Sequence, residues 1–275
     1  MGAFLAYRAQ SFNWIIFLLC VVTTILLQIL SNLANDYGDS IHGADSVSRK
    51  GPSRAVQSGA ISAEQMRRAI FLLAGLSLLS GLVLLFVSFS ADWLAIIFFL
   101  VLGLLCIVAA VTYTIGRKPY GYLGLGDLSV LIFFGFIGVM GSYFLYTKNL
   151  SWLEALPATS IGLLSVAVLN VNNIRDIDSD RMAGKLSLPV RLGRSNAIVY
   201  HWIILFLAVV SLIGYSLFSY SSPWQFLFLL ATPLLVVNGL AVATKPTEDL
   251  DPYLKQMAVS VLLFVLLFGA GLLLA

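Results

Sequence analysis

Eight stretches of the chain, 14–34, 69–89, 93–115, 127–147, 152–170, 199–219, 223–243 and 256–275, run apolar for roughly 20 residues each. That is the length an α-helix needs to cross a bilayer. With 60% of the 275 residues hydrophobic and 11% charged, no soluble core can account for them. The runs are continuously apolar rather than alternating with period two, and only helices or closed barrels satisfy their backbone in lipid. An all-α polytopic bundle of eight full spans is therefore expected, with the lipid bilayer as its medium. The short apolar opening from Met1 to Tyr7 has no basic front and no separate cleavage site, so it does not read as a signal peptide. Cys20 and Cys106 fall inside spans and read as packing residues.

Charge is concentrated on one face. The connection after the first span carries Arg49, Lys50, Arg54, Arg67 and Arg68, and the one after the fifth carries Arg175, Arg181, Lys185, Arg191 and Arg194. With Arg117, Lys118, Lys245 and Lys255, fourteen of sixteen cations lie on that side, leaving Arg8 and Lys148 opposite. The positive-inside rule puts the loaded face in the cytoplasm. The two long polar connections, 35–68 and 171–198, share that face by parity, while the opposite connections are only long enough for tight hairpins. Within the first connection, Ser62 to Gln65 reads as a capping box opening a short surface or lid helix.

Two acidic clusters stand at the ends of these spans. Asn32, Asp36 and Asp39 are spaced four and three apart and share one helical face; Asn172, Asp176 and Asp180, spaced four apart, repeat the arrangement, with Asp178 turned to solvent. An aspartate in a span costs about 2.5–3.5 kcal/mol, and clustered acids repel one another, so cations must intervene. Magnesium suits the set, because it takes hard oxygen ligands and combines one or two carboxylates with substrate phosphate oxygens. Asp36, Asp39, Asp176 and Asp180 are thus the expected metal ligands, gripping a diphosphate. A solvated membrane boundary would explain a single acidic loop but not two matching sets. Calcium and zinc fit poorly, because the clusters contain no cysteine and no EF-hand spacing, with only His42 nearby, which reads as a loop residue.

A third element runs from Tyr113 to Asp127 (Tyr-Thr-Ile-Gly-Arg-Lys-Pro-Tyr-Gly-Tyr-Leu-Gly-Leu-Gly-Asp), where Gly and Pro break the helix and aromatics alternate with cations. Lys118 there can meet a phosphate, and Tyr113, Tyr120 and Tyr122 can face a carbocation or an aromatic ring.

Together the stretches Asn32–Asp45, Tyr113–Asp127 and Asn170–Lys185 closely resemble the 1,4-dihydroxy-2-naphthoate polyprenyltransferases of the UbiA superfamily, over nearly the whole chain. The paired Asp motifs point to the superfamily, and the Tyr113–Asp127 loop to the naphthoate branch. The resemblance implies one domain over 1–275, nine helices around a central cavity open to the cytoplasm, and residence in the bacterial inner membrane. It implies Mg2+-dependent transfer of a polyprenyl chain from its diphosphate to dihydroxynaphthoate, with loss of CO2, in menaquinone synthesis. Asn32, Asn35, Asp45, Tyr113, Tyr120, Tyr122, Asn172, Asn173, Arg175 and Lys185 are then the expected substrate contacts, with Lys118 in the catalytic set and Asp45 a candidate proton acceptor. No nucleic acid and no obligate protein partner is expected. The sequence departs from the family at its start, which reads as a shortened first helix, and at Ser187 and Pro189. A prenyltransferase acting on 4-hydroxybenzoate or a chlorophyll-type acceptor is the alternative within enzymes. A cation-coupled transporter would instead place its acids near the midplane, with access from both sides.

Overall fold

The computed structural model describes residues 1–42, 56 and 58–275, and among them every regular element is helical. A short helix, α1 (Gly2–Arg8), precedes eight helices long and apolar enough to cross a membrane: α2 (Trp14–Ile41), α3 (Ala63–Phe89), α4 (Trp93–Thr112), α5 (Gly126–Thr147), α6 (Trp152–Arg175), α8 (Leu188–Phe218), α9 (Pro223–Thr244) and α10 (Asp251–Leu274). The short α7 (Ile177–Met182) lies between α6 and α8. The protein is an integral membrane protein of the all-α class expected. Large apolar side chains such as Phe71, Leu94 and Phe206 are exposed, as a lipid-facing surface requires.

Several helices outrun their apolar stretches. α2 continues to Ile41, so Asn32, Asp36 and Asp39 sit on its last turns. The capping box at Ser62 is present, with Ser62 Oγ accepting from Gln65 N at 3.2 Å and Gln65 Oε1 from Ser62 N at 2.9 Å. It does not open a short lid helix, however; it opens the 27-residue span α3 itself. The polar turn carrying Arg67 and Arg68 is simply the first stretch of a helix whose remainder is apolar. Pro189 falls in the first turn of α8, where its missing N–H removes no helical hydrogen bond.

The chain divides into two compact units. The first comprises Met1–Phe12, Gly126–Asp178 and Ser187–Ala275, and the second Asn13–Leu125 and Ser179–Leu186. In the first unit, Phe228, Phe264 and Phe268 pack edge to face at 5.1 and 6.1 Å and are fully buried. A buried polar chain ties four of its helices together. Asn170 on α6 meets His201 on α8 at 3.3 Å, His201 meets Asn238 on α9 at 3.1 Å, and Asn238 donates to Gln256 on α10 at 2.6 Å. Such links are the directional part of packing between helices that share an apolar solvent. α5 and α6 cross at Gly135 and Gly162, where a Cβ on Gly162 would stand 2.6 Å from Leu131 Cδ1 and 3.1 Å from both Gly135 Cα and Leu131 O. Eleven residues of α5, Leu131–Gly141, widen into π-helix at this crossing.

In the second unit, α2 packs on α3 and α4 through Leu30, Ala34, Met66 and Ile70. Thr23 and Ser80 bridge α2 to α3 at 2.7 Å. Gly162→Ala is expected to destabilise the protein by about 1–3 kcal/mol, the cost of overpacking a tight contact, seen as a lower unfolding temperature in detergent. Gly75→Ala, where the added carbon meets nothing within 4 Å, is expected to be neutral or slightly stabilising, since alanine is the better helix former.

Candidate functional site

In the second unit the first acidic cluster meets the broken loop and the end of the second cluster. After α4 the chain turns back, with Gly121 N donating to Tyr113 O at 3.0 Å. Thr114, 1% exposed, anchors this turn to α2 by donating to Ala34 O at 2.9 Å. Gly38 makes room for it, because a Cβ there would lie 2.4 Å from Thr114 Oγ1. The turn thereby delivers Tyr122, whose hydroxyl donates to Asp39 Oδ1 at 2.8 Å. Both residues are buried, at 8% and 3% exposure.

Tyr122 also receives the second motif. Leu186 N donates to Tyr122 O at 2.9 Å, and Lys185 Nζ lies 5.8 Å from the centre of its ring, within cation–π range. The same ammonium pairs with Asp180 Oδ1 at 3.4 Å. One tyrosine thus joins Asp39, Lys185 and Asp180, residues 146 positions apart at most by chain number from Asp39 to Lys185. Its hydroxyl holds a carboxylate here, a contact that the sequence did not announce. His42 caps α2 and ends it, its ring nitrogens 2.8 Å from Gly38 O and 3.1 Å from Gly116 O.

The first unit holds the rest of the second motif. Arg175, 4% exposed, donates through Nε and Nη2 to the two oxygens of Asp176 at 2.9 and 2.8 Å. Its Nη2 also reaches Asn172 Oδ1 at 2.8 Å, and its Nη1 reaches Asp251 Oδ1 at 2.8 Å. Neighbouring residues on a continuous helix point apart. Arg175 and Asp176 pair because the helix stops between α6 and α7, with Asp176 as the cap. The uniform four-residue spacing from Asn172 through Asp180 therefore does not lie on one unbroken helical face.

The remaining expected residues are placed as follows. Asp36 and Asn35 are half-buried on α2, Asn35 Oδ1 lying 3.4 Å from Thr114 Oγ1. Asn32 is exposed and accepts from Gln28. Tyr113 packs edge to face on Tyr120 at 5.3 Å, and Tyr120 donates its hydroxyl to Ala109 O. Lys118 is exposed, as is Asp178. Asn173 is buried at 3% exposure, and its Oδ1 has no hydrogen-bond partner among the described residues. Asp45 lies outside the described residues. Sequence reasoning missed Thr114 and Asp251. An acid in the first turn of a span, directly before Pro252 and on the cation-rich side, was the available signal for the second.

Among the described residues no three His, Cys, Asp or Glu side chains converge as a ready-made metal cage. The donors are carboxylates supplied in ones and twos, which is what a magnesium-like ion takes from protein when phosphate oxygens complete its shell. In their chemistry these donors fit a divalent ion of that kind.

The profile of the UbiA prenyltransferase family matches residues 1–258. The chain belongs to the UbiA prenyltransferase family. It is 47% identical over 278 residues to the 1,4-dihydroxy-2-naphthoate octaprenyltransferase of Escherichia coli (strain K12), covering 100% of this chain and 89% of that protein. To the protein of the same name from Haemophilus influenzae it is 46% identical over 277 residues, covering 99% and 89%. To that of Mycobacterium tuberculosis it is 35% identical over 257 residues, covering 93% and 84%. A solved structure of digeranylgeranylglyceryl phosphate synthase aligns with a TM-score of 0.61 at 19% identity, over 100% of this chain and 91% of that one, and so shares the fold. UbiA prenyltransferases generally require a divalent metal, and this chain is a prenyltransferase.

Tyr122→Phe removes the donor that holds Asp39 and leaves the ring under Lys185. Losing one hydrogen bond to a buried charged group costs about 1.5–3 kcal/mol, so prenyl transfer should fall by about tenfold or more. Wild-type turnover in this variant would show that Asp39 needs no such holding.

Proposed function

We propose that this UbiA-family enzyme transfers a polyprenyl chain from polyprenyl diphosphate to 1,4-dihydroxy-2-naphthoate, releasing CO2 and diphosphate and yielding demethylmenaquinol, the reduced form of demethylmenaquinone, in menaquinone synthesis. The observation that carries this reading is 46–47% identity over essentially the whole chain to two proteins named for that acceptor. The Tyr113–Asp127 loop, whose turn presents Tyr122 to Asp39, supports it.

In this reading the whole chain acts as one catalytic domain. The ion is Mg2+, held by Asp36, Asp39, Asp176 and Asp180, and when bound it supplies Lewis-acid stabilisation of charge on the leaving diphosphate. Lys118, exposed at the loop, binds a phosphate oxygen, and Lys185 moves between Asp180 and the incoming anion. Asn32, Asn35, Asn172 and Asn173 orient the substrates through neutral donors, and the buried, unmatched Asn173 Oδ1 is available to a hydroxyl. The rings of Tyr113 and Tyr120, packed together, line the way for the acceptor. Asp45 takes the phenolic proton. The apolar bundle keeps water from the reacting carbon. The cation-rich connections face the cytoplasm, placing this chemistry at the inner leaflet of the bacterial inner membrane.

Membranes containing the protein, incubated with octaprenyl diphosphate, dihydroxynaphthoate and Mg2+, should form a product whose mass equals prenyl addition with loss of CO2. Transfer to 4-hydroxybenzoate instead would overturn the acceptor assignment and leave the family intact. Asp36→Ala and Asp176→Ala should each lower turnover by about 100-fold or more, as removal of a major electrostatic contribution does, while still inserting in the membrane. Wild-type rates in either variant at saturating Mg2+ would contradict the ligand set.

A further inference from the structure

Arg175 stands beside a proposed metal ligand, yet each of its three guanidinium nitrogens donates to a side chain inside the protein. Its side chain is 3% exposed, and among the described residues its partners are Asp176, Asn172 and Asp251. Both oxygens of Asp176 are occupied by this one guanidinium. A divalent ion that draws on Asp176 must therefore compete with Arg175, and an arginine buried without partners is strongly unfavourable. Asp251 bears on that competition. It comes from the first turn of α10, 76 residues from Arg175, and takes Nη1, the one nitrogen that Asp176 does not use. Asn172 shares Nη2.

We propose that Asp251 is a positioning residue that retains Arg175 when Asp176 turns to a metal ion. It acts through Arg175 and touches no reacting atom; the proposal rests on the metal reading given above. With Asp251 present, the guanidinium keeps a carboxylate partner while its grip on Asp176 loosens. Without it, Asp176 is the sole carboxylate left to a buried cation and is released reluctantly. The second contact of Asp251, to Lys255 at 3.5 Å, involves an ammonium side chain that is 77% exposed, and an exposed pair of this kind contributes little. The consequence for Asp251 is specific: its loss should change how much metal is needed more than how fast the loaded enzyme turns over.

The test is titration of the purified, detergent-solubilised protein with Mn2+ in the presence of inorganic pyrophosphate, following free Mn2+ by its paramagnetic resonance signal. Asp251→Asn is expected to weaken Mn2+ binding about tenfold, the factor for one hydrogen bond to a charged group at the low end of its range. Turnover at saturating metal should stay within about twofold, and Asp251→Glu should recover most of the binding. In an Arg175→Gln background, Asp251→Asn should produce no further change, the signature of a residue that acts through another. If Asp251→Asn does not fold, Asp251→Ser takes its place, keeping an acceptor without the charge. Wild-type Mn2+ affinity in the folded variant overturns the proposal, as does an equal shift with and without Arg175. A wild type that binds no Mn2+ under these conditions overturns the metal reading itself, and this proposal falls with it.

Discussion

Three aspartates, Asp39, Asp176 and Asp180, are 3–5% exposed in a chain that is otherwise overwhelmingly apolar, and ionised carboxylates in such surroundings persist only with partners. The protein gives each one its own. Asp39 has the Tyr122 hydroxyl, Asp176 has Arg175, and Asp180 has Lys185. These partners dictate the local chain path. Tyr122 reaches Asp39 because the segment after α4 folds back on α2, and Arg175 reaches its neighbour because the helix stops at Asp176. Breaking a buried pair by removing one member typically costs about 3–5 kcal/mol, so these loops are under stronger constraint than their irregular backbone suggests.

The partners differ in kind, and the difference matters for chemistry. The tyrosine hydroxyl directs one oxygen of Asp39 through a hydrogen bond and brings no charge of its own. Lysine and arginine pair with Asp180 and Asp176, so on the proposed ligand set a divalent ion or a diphosphate would have to rearrange existing ion pairs rather than fill a prepared cage. In the proposed scheme, binding would exchange one set of charges for another and so couple metal to diphosphate. The scaffold supports this with rigid elements: glycine-mediated crossing of α5 and α6, and the buried polar chain from Asn170 to Gln256, fix the helix on whose last turn Arg175 stands.

The eight spans could be read from the sequence because hydrocarbon thickness leaves a length signature in every one of them. Their polar ends could not. α2 and α3 extend by helical turns into what composition marks as connection, since hydrogen bonding and capping at Ser62 carry a helix beyond its apolar stretch. The acidic residues themselves were visible as an unfavourable composition in a membrane chain, whereas the break at Asp176 was hidden, because spacing of four is equally compatible with a continuous helix. Thr114 was invisible for a related reason, and Asp251 left only the signal of an acid placed before Pro252 at the start of a span. Each acts through a distant partner, Thr114 through Ala34, 80 residues away, and Asp251 through Arg175, 76 residues away, and the local sequence does not record the contact itself.

The central claim is that these carboxylates hold divalent metal together with diphosphate. Anomalous diffraction from crystals of the protein grown with Mn2+ and a non-hydrolysable prenyl thiodiphosphate addresses it directly. The account predicts metal peaks about 2.1 Å from oxygens of Asp36, Asp39, Asp176 and Asp180 and from the diphosphate, with Arg175 still on Asp251. Manganese bound away from these side chains, or a diphosphate held by cations alone, would contradict it.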